Sequence, residues 1–283
     1  MNPIKRPPFR GALVGFVLVL LAITSSRAAT YIGSLQGSTG DYLFNQRTNS
    51  LYFYNGLAFD AGRLNFSIGF PLIYQNTPLI ASSGAGMFPS GGYLDEWSDH
   101  SSGMGGGMHE NGSMPMSSSS FHRMGIGDVL AHAEARLLHE RGPAPSVSLT
   151  GDLKMPLASV GMGFGTGKWD YAAGVALSKR WGGVFTFLNA AYWVLGDLPG
   201  LNFNNPIVYS AAVGRSIAAS PYSLLLSYFG STRMISGQAP PSQIGLGLSR
   251  SLNYGSSLSI TAAFGLTDTA PQFSLGLGWR FAL

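Results

Sequence analysis

The chain contains no cysteine, which excludes disulfides and thiolate metal centres. It is also poor in charge: Asp, Glu, Lys and Arg together make up 11% of its 283 residues, against ~25% in ordinary soluble domains. After residue 23 it has no long apolar run, and a membrane helix needs about 20 such residues. A chain with so little charge and no membrane helix must still place its apolar surface somewhere. In lipid, a closed β-barrel is the other structure that satisfies every backbone group.

Acidic residues are missing from the first 28 positions, where Lys5, Arg6, Arg10 and Arg27 lie. Lys5, Arg6 and Arg10 precede an apolar stretch from Gly11 to Ile23, and Ser26 and Ala28 are small residues at −3 and −1 of a cleavage site. This is the pattern of a secretory signal peptide over residues 1–28. Those four are among 17 basic residues, against 13 acidic ones, so residues 29–283 carry 13 of each and are formally neutral. The pI near 9.4 therefore belongs to the targeting segment. Nucleic-acid binding, which needs a clustered basic face, is not indicated.

What the chain does have is period-two alternation. Phe273, Leu275, Leu277, Trp279, Phe281 and Leu283 alternate with Ser274, Gly276, Gly278, Arg280 and Ala282. Leu258, Ile260, Ala262, Phe264 and Leu266 alternate with Ser, Thr, Ala and Gly, and similar runs begin at Leu64, Val147 and Tyr171. Between the runs, short turns near 60–63, 141–145, 181–183, 218–221 and 253–256 alternate with longer connections near 76–124, 156–167, 196–206, 231–241 and 267–271. Short periplasmic turns and long extracellular loops are the rhythm of outer-membrane barrels. Eleven strands are legible from Ser50 onward, and a weaker segment around 36–46 supplies a twelfth. The expected fold is all-β: a transmembrane, antiparallel, up-and-down β-barrel of about 12 strands over residues 29–283, in the bacterial outer membrane. Tyr74, Trp169, Tyr171, Tyr192, Trp193, Tyr222 and Trp279 suit its interfacial girdles.

Particular motifs add a resemblance. The stretch from Gly125 through Asp128 opens a strand carrying Arg136. It is followed by Gly151, Asp152, Leu153 and Lys154 with Pro156, the Gly163 to Gly167 loop with Asp170 and Tyr171, Ser178 with Lys179, and Gly196 with Asp197. From about Gly125 onward the chain resembles the outer-membrane family associated with the meta-pathway of phenol degradation. That resemblance implies a transporter for small aromatic compounds. The closing Trp279 to Leu283 segment is similar to the C-terminal assembly signal of such barrels, which implies the barrel assembly machinery as a partner beside outer-membrane lipid and a small-molecule solute.

Two constellations are candidate sites. Asp128, His132, Glu134 and Arg136 share one face of a strand, and Asp152 and Lys154 share the polar face of the next. Charge facing the membrane midplane costs ~2–4 kcal/mol for Arg or Lys, so these six belong in the lumen. They form either a selectivity patch or an ion-pair network that fills the barrel and holds its register. The second is the Met/His/Gly/Ser-rich connection over 76–124, which is extracellular by loop parity. His100, Met104, Met108, His109, Met114, Met116, His122 and Met124 form a soft donor set suited to copper or silver. Otherwise the segment is a composition-biased loop with no cofactor.

Catalysis finds little footing. There is no Gly-x-Ser-x-Gly elbow, and the glycine-rich 161–167 segment lacks the following helix and Gly-Lys-Ser/Thr ending of a phosphate loop. The expected activity is therefore non-enzymatic: passive passage of small, aromatic solutes through the lumen. A metal-capturing surface barrel and a structural, non-conducting barrel are the alternatives.

Overall fold

Most of the long strands carry large apolar side chains on alternate positions, and that face must meet lipid. A one-residue slip would turn that whole set to the wrong side, and pairing both neighbours of every strand removes all open edges. The computed structural model describes residues 28–42, 47–77, 80–83, 85–89, 123–198 and 203–283. Its strands are β1 (Ala28–Gly40), β2 (Thr48–Ala61), β3 (Leu64–Gln75), β4 (Ile80–Ser83), β5 (Gly86–Pro89), β6 (Arg123–Ile126), β7 (Val129–Leu138), β8 (Ser146–Met155), β9 (Asp170–Trp181), β10 (Val184–Val194), β11 (Ile207–Ser216), β12 (Tyr222–Ser231), β13 (Ser242–Ser251), β14 (Ser257–Gly265) and β15 (Phe273–Ala282).

Sequential antiparallel pairing runs from β7 through β15 to β1, then β2 and β3, and β3 returns to β6 and β7. The sheet is closed. β6 and β7 occupy one place in the wall, so the barrel has 12 strand positions. The break between them faces Pro71 of β3, which has no N–H for the ladder; the Gly127 N–H donates to the Pro71 carbonyl at 2.8 Å. β4 and β5 form a separate hairpin. The 76–124 connection is therefore not wholly a loop: it begins with this hairpin and ends in a wall strand.

The register assigns the two faces. Phe273, Leu275, Leu277, Trp279 and Phe281 pair with Thr39, Gly37, Leu35, Gly33 and Tyr31, and Leu51, Phe53 and Leu57 pair with Gly37, Leu35 and Tyr31. This exposed face is largely apolar, with charge only near the short-turn end among the described strand residues, while most Ser and Thr residues and the charged residues of the predicted cluster turn inward. Burying apolar surface and keeping polar groups out of lipid both favour this one register. Tyr74, Tyr171, Tyr192, Tyr209 and Tyr228 gather on the outer face near the long connections, with Trp181 and Tyr222 at the short-turn end.

β1 starts at Ala28, earlier than the 36–46 segment expected from the sequence. Its outward positions include Gly33 and Gly37, which carry no side chain to mark the alternation. The Trp279 indole of β15 lies across Gly33, where any Cβ would overlap it. The neighbour thus supplies the apolar cover that β1 lacks. Residues 1–27, including most of the expected signal peptide, lie outside the described residues. No described helix is long and apolar enough to cross a membrane, which says nothing about crossing by strands.

Candidate functional site

The inward side chains are not equally accessible along the barrel. On β10, Phe187 is 49% exposed near the short-turn end, whereas Trp193 near the long-connection end is 3% exposed. On β2 and β3, Thr48, Ser50, Tyr52, Ile73 and Gln75 are all buried at the same end. The half of the lumen at the long-connection end is therefore filled, and the half at the short-turn end is open.

Two sets of groups fill it. The 156–169 connection folds inward and places Phe164 (1% exposed) in a cluster with Tyr52, Ile73 and Ala158. The Phe164 ring lies against Gly125, at a position no side chain could share. Gln75 Nε2 donates to the Gly163 carbonyl at 3.1 Å and ties the loop to β3. On the other side, Leu195, Leu198, Phe203 and Met234 from extracellular connections pack with Ala172, Ala191, Trp193 and Val208 of the wall. Ala85, at the tip of the β4–β5 hairpin, joins them from across the mouth.

The predicted polar cluster divides into three parts. At the filled end, Lys154 Nζ lies 2.7 Å from Asp170 Oδ2 and 3.4 Å from Asp128 Oδ2, with all three side chains almost completely buried. Lys154 also donates to Thr166 Oγ1 at 2.7 Å. The Ala158 N–H donates to Asp128 at 2.9 Å, and the Gly196 N–H donates to Asp170 at 3.0 Å. This ion triad therefore grips one turn from each of the two loops that close the lumen. Asp128 and Lys154 do not line open water. Asp170 was visible in the sequence only as part of the family resemblance, because its partners Lys154 and Gly196 come from separate chain segments.

Lower in the lumen, His132 and Asp152 face each other across β7 and β8, with Nδ1 to Oδ1 at 2.7 Å and both side chains partly exposed. Ser67 of β3 is the cross-strand neighbour of His132 on its other side. A Ser–His–Asp row invites an acyl-transfer reading, but no hydrogen bond joins Ser67 to His132 among the described contacts. The strand amides beside Ser67 belong to the barrel ladder, which leaves no backbone pair free for an oxyanion. Glu134 and Arg136 continue the same face toward the periplasmic end; no ion pair joins them among the described residues.

Sequence reasoning missed the aromatic part of the lumen. Phe185 and Phe187 point inward on β10, with ring centroids 5.7 Å apart. Their cross-strand neighbours on β11 are Gly214 and Ala212, and the Phe185 ring lies over Gly214. Large residues stand on both faces of β10, which hides in the sequence which face is the lumen. In the periplasmic turn, Glu140 accepts from Lys179 at 3.0 Å and from the Arg180 N–H. Those contacts hold its carboxyl below the usual glutamate range. At the mouth, burial pushes the Tyr42 phenol up to about 12, so it stays protonated.

Of the metal set, His100, Met104, Met108, His109, Met114, Met116 and His122 lie outside the described residues. Met124 is exposed on the outer face opposite Tyr74. Among the described residues, no group of three His, Asp or Glu side chains is arranged to hold a metal ion.

These features define a membrane barrel of the outer-membrane class with an internally closed mouth. No family model matches the chain, and no curated protein does. Among solved structures, an outer membrane channel from Pseudomonas putida F1 has a TM-score of 0.61 at 14% identity, covering 90% of this chain and 95% of that one. The CymD monoaromatic hydrocarbon channel has a TM-score of 0.47 at 9% identity, covering 91% and 88%. Outer membrane phospholipase A from Escherichia coli has a TM-score of 0.43 at 12% identity, covering 90% and 89%. At these identities the first likeness establishes the shared barrel fold.

Proposed function

We propose that this protein is a passive outer-membrane channel for small molecules, aromatic ones in particular, whose extracellular end is closed at rest by its own loops. The observation that carries this reading is the gradient along β10, from an accessible inward Phe187 to a buried inward Trp193. A barrel serving only as a structural plug would gain nothing from keeping half its lumen open. The open half offers an aromatic shelf at Phe185 and Phe187, whose cross-strand neighbours are Gly214 and Ala212 on β11 and Arg180 and Ser178 on β9; ring faces beside small and polar groups suit planar aromatic solutes. The fold neighbour from Pseudomonas putida F1 is itself an outer membrane channel.

The test is flux of phenol-like aromatics and of sugars into proteoliposomes carrying the folded barrel. Aromatic flux exceeding sugar flux, and reduced severalfold by Phe187→Ala without a matching fall for sugars, is the expected result. Equal loss for both, or no flux of either under any condition, overturns it; the latter would favour a non-conducting barrel. Metal capture by the Met/His-rich segment is a separate proposal. Copper retained by the full-length barrel and lost when Met104, Met108, Met114 and Met116 become Ser would support it.

A further inference from the structure

The register turns about half of all strand residues toward lipid. Among the described ones, three carry charge: Lys179, Arg215 and Arg250. All three are basic. They sit on β9, β11 and β13, each within the last two or three residues before a short turn. No described acidic side chain shares the outward strand face with them. Arginine is expensive on a lipid-facing surface except near the interface, so this one-sided placement marks a particular depth and a particular sector of the rim.

Lys179 is already engaged, with Glu140 at 3.0 Å and with the carbonyls of Gly142 and Ala144 in the adjacent turn. Arg215 and Arg250 have no carboxylate partner among the described residues, and both are exposed. The Arg250 guanidinium lies 5.7 Å from the centroid of the Tyr222 ring, and that outward ring belongs to β12, between the two arginine strands. Trp181, also outward, shares with Arg215 the cross-strand neighbour Val184. An interfacial aromatic pair thus flanks the arginines at headgroup depth.

The spacing suits phosphates. Strands two apart are about 9–10 Å from each other, and the partners of Arg215 and Arg250 on β12, Leu224 and Tyr222, are two residues or roughly 7 Å apart. The two arginines therefore rise from the wall roughly 12 Å from one another, near enough for phosphates of adjoining lipids or of one diphosphate lipid. We propose that Arg215 and Arg250 form a binding site for anionic phospholipid headgroups on the periplasmic rim of the barrel, where the facing leaflet is phospholipid. Guanidinium groups bind phosphate oxygens bidentately, and attraction to an anionic leaflet adds to each contact.

The experiment compares lipid selectivity of the full-length barrel in vesicles, using tryptophan quenching by brominated phosphatidylglycerol against brominated phosphatidylcholine. The expected result is a preference for phosphatidylglycerol, weakened by salt, that falls roughly fivefold for each arginine replaced. The double variant R215Q/R250Q should approach equal binding of the two lipids. R215K should keep most of the preference, and R233Q in an extracellular connection should keep all of it. A native barrel without lipid preference, or a double variant that retains it, overturns the site. Folding of each variant is checked by its heat-modifiable gel shift in phosphatidylcholine alone, so that loss of the preference is not confused with loss of the barrel.

Discussion

Phe164 offers a sharp test of how the lumen is closed. Its ring is buried against Tyr52, Ile73 and Ala158, and it belongs to the loop rather than to the wall. Removing a fully buried Phe side chain costs about 3–5 kcal/mol in a protein core. Here water from the lumen can occupy the vacated space, so the low end, about 3 kcal/mol, is expected. That energy holds the loop inward without holding the barrel together, because the wall ladder does not involve Phe164. Phe164→Ala should therefore shift the balance between closed and open loop by roughly a hundredfold. In planar bilayers this appears as a large rise in open probability, with no change in the heat-modifiable shift of the folded barrel. Phe164→Leu keeps an apolar group of similar size and should shift the balance less than tenfold. Gly125→Leu, whose side chain would claim the place of the Phe164 ring, should open the channel by a different substitution. Open probability within twofold of the native value in both folded Phe164→Ala and folded Gly125→Leu would refute the idea that this ring closes the lumen.

Other outcomes follow from the same contacts. Lys154→Met leaves two buried carboxylates without the cation between them and should destabilise the closed barrel by roughly 3–5 kcal/mol, read as a lower temperature for the heat-modifiable transition. Adding Asp128→Asn and Asp170→Asn should recover part of that loss. The Glu140 carboxyl is held below its ordinary value of 4.5 by Lys179 and the Arg180 N–H. Its contribution is therefore present at neutral pH and fades as pH falls below about 4.5 and through the lowered folded value. The stability difference between the native protein and Glu140→Gln should accordingly be largest near pH 7 and shrink as pH falls through the lowered folded value, whereas a difference that grows on acidification would contradict the pairing. Gly33→Val would force the Trp279 indole off the outer face of β1. An overpacking cost of about 1–3 kcal/mol should appear as a lowered heat-modifiable transition, and Trp279→Ala in the same chain should relieve it.

The composition and the alternation of this chain were enough to determine a closed, lipid-facing antiparallel barrel. Period-two patterning is a local property, and loop lengths are read directly, so the strands from Ser50 onward and the short-turn rhythm were legible without coordinates. The start of the first strand was not, because its outward Gly33 has no side chain of its own and is covered by a tryptophan almost 250 positions away. The same limit applied to the lumen. The sequence placed Asp128, His132, Glu134, Arg136, Asp152 and Lys154 on inward faces, but as one undivided cluster. Tertiary structure decided that Asp128 and Lys154 are sealed with Asp170 around two loop turns, that Asp152 holds His132, and that Glu134 and Arg136 stand apart near the open end. It also decided that Phe164 enters the lumen and that Phe185 and Phe187 face the lumen rather than lipid. Inward and outward differ only by which wall a side chain meets, and a loop's direction depends on contacts with strands far along the chain. Neither is written in any local stretch of residues.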